Sequence, residues 1–315
     1  MRLLITGGLG YLGGRLAQAL SKQTNYEIFL GSRRIVESPT WLPSANIVQT
    51  SWDMPTSLDK LTYGIDSIVH LAGMNAQDSS ANPVAALDMN GLATARLLHS
   101  AIRQGVKRFV YLSTVHVYGS PLSGVVTEEM CPSSLHPYAS SHRAGEDVVR
   151  EAHNRGEIEG VVIRLSNSFG APAHQSVNCW TLLVNDLCRQ IVTSKKMVLH
   201  SSGQQTRDFI TLSDACRAIQ HLLELPVDKL DDGLFNVGGM FTTTILEFAM
   251  ILQAHASKKF TDDIPVLHLS EEIDEISPHF KLCTDKLSQT GFELTSNQDF
   301  EIDSLLDFCI NSFKK

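Results

Sequence analysis

The stretch Leu3-Leu4-Ile5-Thr6-Gly7-Gly8-Leu9-Gly10-Tyr11-Leu12-Gly13 decides the fold. Residues 2–6 are short and apolar, as a buried strand is, and apolar residues at 12, 16, 17 and 20 give a helical stripe over 11–22. Between the two lies a glycine turn. Gly7 supplies a tight turn with positive φ, Gly10 lets the backbone approach a pyrophosphate, and Gly13 lets the helix close on the strand. The start of such a helix presents unpaired N–H groups and the positive end of its dipole to phosphate oxygens.

Working outward, the first half keeps alternating strand and helix. Strands are expected at 26–30, 46–50, 67–71, 109–113 and 160–165, and long helices at 84–104 and 138–154. The first of those helices would bury Leu87, Gly91, Thr94, Leu97, Leu98 and Ala101 along one face. This rhythm predicts an α/β fold, a doubly wound parallel sheet of Rossmann type, over residues 1–168. After Phe169 the rhythm breaks into a loop at 170–178, a helix over 181–192, a strand over 207–211, a helix over 213–225 and a strand end at 236–239. The final third reads as a mixture of short elements. Residues 169–315 are therefore expected to form mainly a smaller substrate-binding lobe, with segments near 207–239 returning to the first domain.

Composition narrows the partners. The 315 residues are 43% hydrophobic and 19% charged, with 26 basic against 34 acidic residues and a formal charge of −8. That balance argues against nucleic acid, whose phosphates need a basic face. The six cysteines form no C-x-x-C pair and no zinc-ligand spacing, so no metal is expected. The apolar run at the N-terminus is short and glycine interrupts it, and no stretch approaches the roughly 20 apolar residues of a bilayer span. A cytoplasmic protein without a membrane partner is the expectation.

The spacing Gly7-x-x-Gly10-x-x-Gly13 resembles that of extended short-chain dehydrogenases/reductases, in their NAD(P)-dependent nucleotide-sugar epimerase/dehydratase branch. The similarity runs along nearly the whole chain. It takes in Trp52-Asp53-Met54 near the adenine, His70-Leu71-Ala72-Gly73 beside the cofactor, Asn90 within a helix, Arg164-x-x-Asn167-x-x-Gly170, Arg207-Asp208-Phe209-Ile210 and Asn236-Val237-Gly238. The resemblance implies a nicotinamide dinucleotide cofactor contacted by Gly7, Gly10, Tyr11, Leu12, Gly13, Asp53, Leu71, Ala72, Gly73 and Asn90. It also implies a homodimer through the helices at 84–104 and 138–154.

At the end of the second strand, Gly31 stands where an acid often grips the NAD ribose, and Ser32 and Arg33 follow. Arg33 is suited to clamp a 2′-phosphate, which favours NADP over NAD, the other reading being a solvated loop pair with Arg34. For the reaction, the resemblance implies Thr114 as the hydroxyl that polarises a substrate oxygen and Tyr138 as the proton-transferring phenol. The family's Lys four residues after that Tyr is His142 here, and Lys would bring a permanent charge and reach the cofactor ribose. Three readings stay open. His142 replaces Lys, His116 takes over proton transfer, or the site binds its ligands with weak catalysis. The dehydratases' Asp-Glu pair is Val115-His116, which argues against a 4,6-dehydratase.

Arg207 matches the residue that holds a nucleotide-sugar diphosphate, with Asn167 and Asn178 as further substrate candidates. Arg207 could instead be the ion-pair partner of a nearby acid, and Asp208 is expected to brace a turn. The expected function is hydride transfer at a ring alcohol or ketone, C4 in most of that family. A keto-sugar reductase leads, with a 4-epimerase holding NAD or a dinucleotide-binding protein as alternatives.

Overall fold

A computed structural model describes residues 1–261, 264–268 and 280–314. A seven-stranded parallel sheet runs in the order Leu234–Val237, Glu159–Leu165, Arg108–Thr114, Ser67–His70, Arg2–Thr6, Glu27–Ser32, Asn46–Gln49. Its central strands are covered on both faces, which is why they read as unbroken apolar runs rather than alternating ones. One face packs the helices Tyr11–Leu20 and Leu212–Glu224 around Leu16, Ala17, Ile219 and Leu222. The other packs Pro55–Thr62 and Ala93–Arg103 around Leu58, Leu97 and Phe109.

Strand order reverses between Arg2–Thr6 and Ser67–His70, and the crevice beyond their carboxyl ends is where such sheets bind ligands. Thr6 is paired with Gly31 on one side and His70 on the other, so the glycine turn opens at that switch point.

Three expectations change. The helix over 84–104 is a run of three segments, Pro83–Ala86, the π-helical Leu87–Leu92 and Ala93–Arg103. The π turn inserts an extra residue per turn and rotates Leu87 outward, so it is exposed while Gly91, Thr94, Leu97, Leu98 and Ala101 stay buried. The final third carries two long helices, Ile245–Lys259 and Gln298–Phe313. Buried Ile245, Phe248, Ala249, Leu252 and Ala256 have helical spacing, but exposed Met250 and half-buried Leu246 and Ile251 blur the stripe. The Thr244–Glu247 capping box was the available start signal. Finally, the strand Thr206–Thr211 joins a three-stranded sheet with Asn167–Phe169 and Phe241–Thr244, not the large one. From that region the helix Leu212–Glu224, the strand Leu234–Val237 and the side chains of Ile210, Leu225 and Leu230 pack with the first domain. The second lobe has its own core, where the Phe248 ring lies 5.2 Å from Phe169 and 4.5 Å from Phe209.

Candidate active site

The glycine turn has the geometry of a phosphate cradle. Gly7 has φ +67°, and a Cβ there would lie 2.9 Å from the backbone of Leu71 and Ala72. A Cβ on Gly13 would fall 2.3 Å from the Gly7 carbonyl, and one on Gly10 3.0 Å from it. The helix that follows has no side-chain cap and no acid in its first turn, so the N–H groups of Tyr11, Leu12 and Gly13 point unpaired into the crevice. These residues fit a dinucleotide pyrophosphate. The Tyr11 side chain itself turns away, donating to the Gly170 carbonyl at 3.0 Å, and the Leu12 side chain is in the core, so both offer backbone only. Leu71, Ala72 and the exposed Gly73 form the facing wall.

Two of the expected cofactor contacts are engaged within the protein. Asn90 is fully buried, its Oδ1 accepting from Met74 N at 2.7 Å and its Nδ2 donating to Ser141 at 2.9 Å. With both ends of its amide engaged, it holds the wall to the Tyr138 helix. Ser32 Oγ donates to the Arg34 carbonyl at 2.7 Å and bends the loop, and the Arg33 and Arg34 side chains are both exposed. Asp53 is exposed beyond the third strand and pairs with Arg96 at 3.0 Å.

A buried network braces the wall. Thr94 donates to the Asn90 carbonyl at 2.7 Å, so His70 Nε2–H donates to Thr94 at 3.0 Å and Thr6 donates to Nδ1 at 2.6 Å. That pattern needs a neutral imidazole, and burial together with the nearby His142 pushes the His70 pKa down to about 3.

Thr114 ends the fifth strand and Tyr138 opens the helix Pro137–Asn154, and the two side chains lie close enough to interact. Burial raises the Tyr138 pKa, and Thr114 only partly opposes it. His142 lies one turn on with its ring edge-on to Tyr138, centroids 4.6 Å apart. It does not reach outward as a lysine would. Its Nδ1 is 3.0 Å from Tyr111 OH, and burial lowers its pKa to about 4. Tyr138 therefore has no cation at the lysine position.

Behind this pair, Glu146 accepts from Ser113 at 2.5 Å and forms a two-pronged bond with Arg164, Nη2 to Oε2 at 2.7 Å, with both side chains wholly buried. Sequence reasoning missed this tie, and it missed His136. The His136 Nδ1 accepts from Tyr138 N at 3.2 Å and caps the helix, and its Nε2 lies 2.8 Å from Ser80 Oγ. Pro137 at the first helical position was the readable hint.

His116 follows Thr114 in a short 3₁₀ turn, its N–H donating to Thr114 Oγ1 at 3.2 Å. Burial and then neighbouring Arg207 lower its pKa to about 4. Among the described residues Arg207 makes no ion pair, its side chain meeting Gln205 Oε1 at 3.4 Å. Burial lowers its pKa. Asn167 donates to the Asp208 carbonyl at 3.0 Å on the adjoining strand, whereas Asn178 is exposed on the loop before the next helix. Asp208 accepts from Gly239 N at 2.9 Å and so braces the turn.

The profile of the NAD dependent epimerase/dehydratase family matches residues 3–238. A Bacillus subtilis protein named as an uncharacterized UDP-glucose epimerase is 27% identical over 87% of this chain and 86% of its own. The dTDP-glucose 4,6-dehydratase of Streptomyces niveus is 26% identical over 79% of this chain and 76% of its own. The fold is similar to that of a UDP-N-acetylglucosamine 4-epimerase from Methanobrevibacter ruminantium (TM-score 0.82, 21% identity, 99% of each chain). It is similar too to a UDP-glucuronic acid 4-epimerase from Bacillus cereus solved with UDP-glucuronic acid and NAD (TM-score 0.81, 22% identity, 99% of this chain and 100% of that one). With three quarters of its length inside the family profile, from the glycine turn to Gly238, the chain belongs to the NAD dependent epimerase/dehydratase family, enzymes of the extended short-chain dehydrogenase/reductase type.

Proposed function

We propose that this enzyme transfers hydride at a ring alcohol or ketone, C4 being the expected centre, of a nucleotide-activated sugar. The observation that carries the reading is Arg207, a half-buried guanidinium without an acidic partner among the described residues, next to His116 and hence to the Thr114–Tyr138 pair. A charge so placed asks for an anion, and the diphosphate of a nucleotide sugar supplies one beside a sugar oxygen held by two hydroxyls. Asn167 is the nearer of the two asparagine candidates for a sugar or phosphate contact.

Backbone N–H groups of Tyr11, Leu12 and Gly13 would hold the dinucleotide pyrophosphate, and Arg33 a 2′-phosphate, which favours NADP. Bound there, the dinucleotide supplies or accepts the hydride. Tyr138, kept a neutral phenol by burial and by the lack of a neighbouring cation, donates its proton to a carbonyl oxygen that Thr114 also contacts. A neutral phenol is an acid ready to act and a base that must first be deprotonated, so the site suits keto-sugar reduction. The second reading is a 4-epimerase with tightly held NAD, supported by the NAD bound in the similar UDP-glucuronic acid 4-epimerase of Bacillus cereus. Exposed Val84, Leu87 and Leu92 on one helix support a homodimer, expected as a doubled mass in sedimentation.

The test is to strip the purified protein, identify any released dinucleotide by mass, and titrate with NADPH and NADH in the presence and absence of UDP and dTDP. Reversible, preferential NADPH binding supports the reductase. Near-stoichiometric bound NAD moves the reading to the epimerase. Failure to bind either dinucleotide sinks both, and Tyr138→Phe without loss of turnover sinks the catalytic role.

A further inference from the structure

The second glycine of the Gly13-Gly14 pair has no part in the phosphate cradle, yet its surroundings show why a side chain is excluded. A Cβ on Gly14 would lie 2.9 Å from the Ala173 side chain and 3.6 Å from the Trp41 ring. Trp41 comes from the loop after the second strand, the loop that begins with Arg33, and Ala173 from the loop that leaves Gly170 in the other lobe. The two loops meet there. The Trp41 indole stacks on the His174 imidazole with centroids 5.7 Å apart and planes at 13°.

His174 is fixed from its other side. Its Nε2 is 3.2 Å from the carbonyl of Leu9, inside the glycine turn, and its Nδ1 is 2.8 Å from Ser176 Oγ. A carbonyl only accepts, so Nε2 carries the proton and Nδ1 accepts from the serine. The loop is pinned beyond Trp41 by Leu42 and Ala45, both in the core, and by Ser38 Oγ donating to the Ala45 carbonyl at 2.8 Å. One face of the strap is therefore anchored to the first domain, and the other belongs to the second lobe.

We propose that Trp41 and His174 form a strap across the glycine turn and govern the release of the dinucleotide. The proposal rests on the dinucleotide-binding reading above. The stack and the bond to Leu9 tie together the loop that would carry the adenosine end, the turn that would hold the pyrophosphate and the lobe that would hold the sugar. Opening it separates all three. Trp41 and His174 act as positioning residues, since neither is placed to touch reacting atoms.

The experiment preloads the wild-type protein and Trp41→Ala, Trp41→Phe, His174→Ala and the double alanine variant with NADPH or NADH. Release is followed by nicotinamide fluorescence in stopped flow after mixing with excess unlabelled NADP or NAD. Both single alanine variants should release about 10-fold faster, corresponding to the roughly 1.4 kcal/mol expected of a stacked aromatic pair. The double variant should be no faster than either single one, because the two side chains work as a unit. Trp41→Phe should stay near wild type, and melting temperatures should change little. Unchanged release, or effects of the two substitutions that add, overturns the strap while leaving dinucleotide binding intact. A wild-type protein that binds neither dinucleotide overturns the strap and the proposed function together.

Discussion

Lowering the pH from 7 to 5 should cost this protein a large share of its stability, and the structure gives the size. His70, His142 and His116 are held neutral, with pKa values pushed to about 3, 4 and 4 by burial against an ordinary 6.5. A folded-state pKa below the unfolded one means that the unfolded chain takes up the proton first. The contribution of each imidazole is then complete above pH 6.5 and lost as the pH falls toward 4. Each loses about 2 kcal/mol between pH 7 and 5, on the order of 5 kcal/mol together. Asp208 opposes this. Burial raises its pKa to about 6, so its folded state prefers the proton and it recovers about 1 kcal/mol over the same interval. The net loss of about 4 kcal/mol compares with a typical total of roughly 5–15 kcal/mol. Urea unfolding followed by circular dichroism at pH 7, 6 and 5 measures it, with a slope of about 2–3 kcal/mol per pH unit near pH 5.5. His142→Leu should flatten that slope by roughly 1 kcal/mol per pH unit. A stability constant within about 1 kcal/mol over this range would refute the reasoning, because three neutral buried imidazoles cannot be reconciled with it.

Three further outcomes are expected. Glu146→Gln strips the buried Arg164 of its counter-ion, which should cost about 3–5 kcal/mol and lower Tm by roughly 5–8 °C in calorimetry. A fall of less than about 2 °C would mean the pair is not buried as described. Arg207→Leu should weaken UDP binding about 10- to 100-fold by titration calorimetry, through loss of charge-assisted hydrogen bonds, without lowering Tm. With Tyr138 acting as an acid whose pKa burial raises, the rate of carbonyl reduction should stay level from neutral pH to about 9 and fall only above it. A limb near pH 7 would mean that a cation the structure does not show lowers the phenol.

Much of this protein was legible in its sequence because the signals are local. The strand, glycine turn and helix of residues 2–20 depend on neighbours a few positions apart, and the positive φ of Gly7 follows from the turn itself. Thr114 and Tyr138 were read from the resemblance of their segments to the family's, and each sits at the end of a local element, a strand and a helix. The π turn that exposes Leu87 was not legible, because it is fixed by Asn90 reaching Met74 and Ser141 on other elements. Nor were the charge states. The sequence left open whether His142 stands in for a lysine, whether His116 moves a proton and whether Arg207 has an acidic partner. Folding buries the two imidazoles and pairs one with Tyr111, so they stay neutral, and among the described residues it leaves Arg207 with no acid beside it. Chain-local chemistry determined which groups are present and how the backbone turns. Only the tertiary structure decided which of them carry charge, because desolvation and partners come from residues far away in the chain.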